Sequence, residues 1–171
     1  RLMNDMTHPV ARNAISVYSP FDNALVGQVA TTPVDDLPSI IASAEHAYRA
    51  FRHSTPAERK ALLHRLADEI ADHAGELSAL LCAEVGKTIR EARNEVRRAQ
   101  NTLRLSGDAA TVLHGEVMNC AVVPGSPDKR ATITYEPVGV VGAITPFNYP
   151  LNLLCHKLGP AIAAGNAIVA K

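Results

Sequence analysis

The sequence predicts an α/β chain, with an N-terminal helical layer, an antiparallel hairpin and the start of a parallel nucleotide-binding sheet. Three observations predict it. Apolar residues recur at helical spacing over a long central block, polar and apolar residues alternate after it, and an almost wholly apolar run opens the last segment.

The elements follow in order. Ile15 to Tyr18 and Leu25 to Val29 read as strands joined by the turn Ser19-Pro20-Phe21-Asp22-Asn23. Leu37, Ile40, Ile41, Ala44, Tyr48 and Phe51 form one face of a helix. Thr55-Pro56-Ala57-Glu58 starts a second: Thr55 caps, Pro56 suits the first helical position, and Glu58 closes a capping box. Leu62, Leu63, Leu66 and Ile70 then face one side. A third helix, from about Glu76 to Val85, stops at Gly86. Thr88 to Glu91 is another capping box, opening a helix through Ala92, Val96, Ala99 and Leu103. Helical hairpins packed together are the expected product.

The pattern changes near Gly107. Val117 to Val123 and Thr132 to Glu136 read as strands around the loop Pro124-Gly125-Ser126-Pro127-Asp128. The alternation at Thr132 to Glu136 is that of a half-exposed antiparallel strand. Val138 to Ile144 is apolar enough for a strand buried on both faces. Thr145 to Pro150 breaks it. Leu151, Leu154, Cys155, Leu158 and Ile162 resume helical spacing, with Pro160 expected to kink the helix. Gly165-Asn166 ends that helix, and Ala167 to Ala170 is a second short strand. Strand, helix and strand make a right-handed βαβ unit.

Composition narrows the partners. The 171 residues carry 17 basic and 17 acidic side chains, so charge offers no reason to expect nucleic acid or an anionic membrane. No apolar run is long enough to span a bilayer. Arg1 to Ala14 lacks the apolar core of a secretory signal. Trp is absent and aromatics are 4%, which argues against a base-stacking platform. Cys82, Cys120 and Cys155 are odd in number, widely spaced and without zinc-site spacing, so no metal is expected. Reduced thiols in a cytoplasmic protein are the simplest reading.

Ligands of open α/β sheets bind beyond the carboxyl ends of the strands. Asn148 follows the first strand there and Lys171 ends the second. An Asn amide at that place can donate to a developing oxyanion. A Lys there can bond ribose hydroxyls or neutralise a phosphate. Asn between prolines is also a plain turn residue, and Lys171 a plain solvated cation; spacing alone leans to these simpler roles. The usual GxGxxG fingerprint is missing, since Gly139 and Gly142 lie inside the apolar run. By pattern alone the unit is open to a phosphosugar, a flavin or nothing.

A resemblance adds to this. Glu136-Pro137-Val138-Gly139-Val140-Val141-Gly142, Ile144-Thr145-Pro146-Phe147-Asn148-Tyr149-Pro150-Leu151, Lys157 to Asn166, and Val169-Ala170-Lys171 resemble the aldehyde dehydrogenase superfamily without gaps. Collinear support comes from Ser19-Pro20, the helix bearing Arg59, and Glu84-Val85-Gly86-Lys87. The resemblance implies that Asn148 is the oxyanion-hole amide. It implies that Ile144, Thr145, Pro146 and Phe147 line the nicotinamide-ribose side of NAD or NADP, and that Lys171 bonds the adenosine ribose. Tyr149, Leu153 and His156 fall where the family lines its substrate tunnel, and Lys157 matches a family lysine near the active site, open to a structural or a proton-relay role, with the structural one favoured. Phe147 stands where Trp is usual, and His156 where a bulky apolar residue is common.

The combination resembles members acting on small, polar or anionic aldehydes, such as lactaldehyde and glyceraldehyde 3-phosphate. The implied activity is oxidation of an aldehyde to a carboxylic acid through a cysteine thiohemiacetal. The family's GQxC- and ELGG-like motifs, which carry the cysteine and the general base, do not occur here, so the chain by itself is expected to be inactive and the fold an incomplete one. The three cysteines read as packing residues. The resemblance divides the chain into an arm and helical part (1–115), oligomerisation strands (116–136) and the first βαβ unit of a Rossmann-like sheet (137–171). It implies a homodimer or homotetramer. Two alternatives stay open: a non-catalytic oligomerisation or interaction module, and a CoA-acylating dehydrogenase.

Overall fold

A computed structural model describes residues 14–122, 124–125 and 127–171. The reading of Arg1 to Asn13 as free of a signal lies outside the described residues, as do Val123 of the expected strand and Ser126 of the loop.

Helices dominate and are built as their caps dictate. α1 is Leu37–Phe51, α2 Pro56–Asp72, α3 Ala74–Val85 and α4 Ile89–Ala110. Thr55 and Thr88 each accept from the backbone N–H three residues on, and Glu58 and Glu91 reach back, so both capping boxes form. α3 ends on Gly86 at φ +72°, where a side chain would be strained and a Cβ would meet Pro20.

α4 is the axis of the core. Its buried face runs Ala92, Glu95, Val96, Ala99, Leu103, Ser106, Gly107 and Ala110. Against it pack Leu63, Ala67 and Ile70 from α2 and Leu81 from α3. Cys155 and Ala163 come from α5, Pro150–Ala163. The change expected near Gly107 comes later, because α4 continues to Ala110. Gly107 is there for contact: a Cβ would stand 2.8 Å from the His64 ring, so only glycine lets α2 lie this close. Asp68 with Arg104 and Asp108 with Lys60 tie the outer sides of α2 and α4.

Among the described residues, strands come in three pairs. β1 (Ala14–Tyr18) and β2 (Leu25–Ala30) are antiparallel, as are β3 (Glu116–Asn119) and β4 (Arg130–Ile133). β5 (Val140–Ala143) and β6 (Ala167–Ala170) are parallel and joined by α5, as the sequence predicts.

Three expectations are corrected. The strand read from Val117 stops at Asn119, whose side chain accepts from Ala121 N–H and turns Cys120–Val122 into a 3-10 helix, so Cys120 is not on a strand. The next strand is Arg130–Ile133, not Thr132 to Glu136, because pairing with β3 sets its ends, and all four residues are exposed. The apolar run is not buried on both faces: only Ala143 of β5 is buried and Val138 is 85% exposed, since β5 has one paired neighbour, β6. As the sequence predicts, Pro160 lies inside a helix, α5, and there it is exposed.

The face expected on α1 forms but is only partly covered. Tyr48 is half-buried and donates to Pro137 O at 3.1 Å, whereas Leu37 and Ile41 stay exposed. Between α1, α2 and the βαβ unit lies an apolar groove lined by Ala44, Phe51, Leu62, Ile162 and Ile168.

Candidate functional site

The βαβ unit is locked at both ends by polar contacts. Asn166 is buried: its side chain accepts from Gly139 N–H at 3.0 Å and donates to Ala161 O at 3.2 Å. Gly165, at φ +87°, turns the chain out of α5; a Cβ there would lie 3.0 Å from Arg59 Nη1. That guanidinium donates to Ser54 O at 2.8 Å. At the carboxyl ends, Lys171 N–H donates to Ala143 O at 2.8 Å and Thr145 N–H to Lys171 O at 3.0 Å. Two of the sequence-predicted residues, Thr145 and Lys171, are therefore brought side by side.

Beyond the strand ends the chain bends through Phe147, Asn148 and Tyr149 into α5. Ile144 is 73% exposed and Phe147 63%, with Pro146 and Asn148 also exposed. Ile144 and Phe147 thus leave bulky apolar surface exposed in the same short segment as the exposed Asn148 amide. Thr145 Oγ1 is buried without a hydrogen-bond partner among the described residues. An orphaned hydroxyl on a residue joined to Lys171 by a backbone hydrogen bond suits the hydroxyl-rich part of a nucleotide. Leu153 and His156 lie farther along α5, Leu153 half-buried and His156 exposed. Lys157 reaches back to Leu153 O at 3.4 Å.

Four residues given no site role by sequence reasoning, Glu95, Lys87, Arg98 and Asn152, complete the arrangement. Glu95, wholly buried on α4, accepts on one oxygen from the backbone N–H groups of Leu151 and Asn152 at 3.0 and 3.1 Å. Its other oxygen is paired with Lys87 Nζ. Lys87 Nζ also lies 3.6 Å from the centre of the Tyr149 ring, and the exposed Arg98 guanidinium lies 5.5 Å from it. Two cations near one aromatic ring are each attracted by its quadrupole. Asn152 is buried too, and Thr102 Oγ1 donates to it at 3.2 Å. A signal for Glu95 was present: it lies three residues after Ala92 and four before Ala99, on the apolar stripe of α4.

The cysteines fit packing. Cys155 is 4% exposed, and its thiol is pushed up to about 11, by burial first and then by the Glu95 charge. A thiol so held is a poor nucleophile at neutral pH. Cys82 and Cys120 are half-buried, on α3 and the 3-10 turn. Among the described residues no group of three or more His, Cys, Asp and Glu side chains is placed to hold a metal, and no helix is long and apolar enough to cross a membrane.

Residues 7–171 match the aldehyde dehydrogenase family. The chain is 41% identical over 157 residues to the 3-sulfolactaldehyde dehydrogenase of Priestia aryabhattai, covering 92% of this chain and 32% of that protein. It is similar to the NADP-dependent glyceraldehyde-3-phosphate dehydrogenase of Bacillus halodurans C-125, solved with NADP, at TM-score 0.89 and 31% identity over 93% of this chain and 34% of that one. It is similar also to aldehyde dehydrogenase 21 of Physcomitrella patens, solved with the product succinate, at TM-score 0.90 and 29% identity over 94% and 33% of the two chains. The chain thus spans about a third of the length of the relatives it matches.

Proposed function

The chain belongs to the aldehyde dehydrogenase family, and on that premise we propose that it carries the oxyanion-binding and cofactor-facing residues of an enzyme oxidising a small anionic aldehyde to a carboxylic acid. The carrying observation is the exposed Asn148 amide at the strand-to-helix junction, beside a Tyr149 ring flanked by Lys87 and Arg98.

The chemistry asked of these residues is specific. A thiolate, drawn from the part of the family's length that this chain does not span, adds to the aldehyde carbon, and the carbonyl oxygen becomes an oxyanion. Asn148 Nδ2 donates to that oxygen and lowers the barrier to its formation. A bound NAD or NADP supplies the hydride acceptor. Ile144, Pro146 and Phe147 would offer that ligand apolar surface, Thr145 Oγ1 would offer it a donor, and Lys171 Nζ would bond its ribose hydroxyls. Collapse of the oxyanion as hydride departs leaves a thioester, which water hydrolyses to the acid.

Arg98 is the substrate-selecting residue of this reading. A guanidinium beside Tyr149 favours an aldehyde bearing a sulfonate, carboxylate or phosphate. The matched relatives named for 3-sulfolactaldehyde and glyceraldehyde 3-phosphate support an anionic class. The test is nicotinamide reduction with charged and neutral aldehydes of equal size. Arg98→Ala should raise KM for the anionic aldehyde about tenfold or more, the value of one lost charge-assisted hydrogen bond, with the neutral one within about twofold. Equal effects on both would remove the anion from the proposal. Assembly through the exposed β3–β4 hairpin into a dimer or tetramer belongs to the same reading, and a monomeric enzyme by light scattering would contradict it.

A further inference from the structure

We infer that Glu95 and Lys87 are positioning residues for Asn148: they clamp the first turn of α5 from α4 and so set where the Asn148 amide stands. The inference rests on the oxyanion role proposed for Asn148.

The local problem is the start of α5. Its first residue, Pro150, has no N–H, and its N-cap, Tyr149, makes no side-chain cap bond. The next two donors, Leu151 and Asn152, both go to one Glu95 oxygen. A buried carboxylate from another helix thus does what an N-cap side chain does, and its charge favours the positive end of the helix. Lys87 holds the second oxygen and covers the ring of Tyr149, the residue next to Asn148.

Asn148 needs such an anchor. Among the described residues its side chain makes no hydrogen bond, and it is exposed, so its place is set by the backbone that carries it. Stability gives a weaker reason for the pair. Replacing a buried ion pair by apolar side chains of similar volume is often neutral or stabilising, because desolvation offsets the attraction. A carboxylate that is 0% exposed and aimed at the turn after Asn148 has a positional use that a leucine would not have.

The test uses the active enzyme carrying this chain, with Glu95→Ala, Asn148→Ala and the double variant. Loss of the clamp should lower kcat about tenfold or more and change KM for the dinucleotide less than about twofold, as misplacement of a reacting group does. In the Asn148→Ala background, Glu95→Ala should lower kcat less than about twofold further, because nothing is left to position. Rates that multiply in the double variant would mean a general structural role and would overturn the inference. So would a Glu95→Ala enzyme with unchanged kcat while Asn148→Ala is impaired, a result that leaves the oxyanion reading standing. Unchanged kcat in Asn148→Ala would overturn both. Should Glu95→Ala not fold, Glu95→Gln, which keeps an acceptor for the two amides, takes its place. The loss is then about threefold or more and again vanishes without Asn148.

Discussion

Gly159→Ala probes the contact that brings α4 and α5 together. A Cβ at residue 159 would stand 2.5 Å from Ser106 Oγ and 2.9 Å from Ser106 Cβ. Ordinary carbon contacts need about 3.5–4.0 Å, so the helices must part by about 1 Å; rotation of Ser106 would relieve the Oγ contact alone, because it leaves Cβ in place. Rotation would break the bond from Ser106 Oγ to Thr102 O, 2.8 Å long. Overpacking of this kind costs about 1–3 kcal/mol, and the better helix propensity of alanine offsets about 0.5–1 kcal/mol of it. From the middle of each range, about 2 against about 0.75 kcal/mol, a net loss of about 1 kcal/mol is expected in urea unfolding followed by circular dichroism. The loss should shrink in a Ser106→Gly background, where both clashing atoms are gone. A Gly159→Ala protein as stable as the parent would refute the close approach of these helices. In the active enzyme, parting α4 from α5 also draws Glu95 away from Leu151 and Asn152, so kcat should fall with stability.

Two further outcomes are expected. Thr88→Ala removes the cap of the central helix α4 and should cost about 1 kcal/mol by the same unfolding assay, and no change would mean that Glu91 alone secures that end. Cys155 should resist alkylation near neutral pH in the folded protein and react in urea, read by peptide mass. Its folded pKa, about 11, lies above the ordinary 9.0, so the unfolded chain loses the proton first. Stability from this thiol is therefore full below 9.0 and is lost as pH rises towards about 11. The stability gap between the parent and Cys155→Ala should narrow over that window, and a constant gap would count against the shift.

Local chemistry was the most legible part of the sequence. Thr55-Glu58 and Thr88-Glu91 named two helix starts, Gly86 named an end, and Val140 to Ala170 was readable as strand, helix and strand. Asn148 and Lys171 stand out as candidates because the ends of parallel strands are where such sheets bind ligands, but spacing alone leans to simpler roles and the family resemblance supplies the roles proposed for them. What escaped depended on contacts distant in sequence. The end of α4 was misread because Gly107 looks like a helix breaker until His64 is seen against it. The apolar β5 run looked doubly buried because composition does not tell how many strands stand beside it. Glu95 escaped because its partners, Leu151 and Asn152, are main-chain amides, which leave no mark on residue identity.

The most direct test of the account is the turnover of Asn148→Ala in the active enzyme, with dinucleotide binding measured alongside. The amide is assigned to the oxyanion alone, so kcat should fall by a factor on the order of 100 or more while NAD or NADP binds as before. A variant that turns over at the parent rate, or that loses turnover only because the dinucleotide no longer binds, would contradict the role given to Asn148.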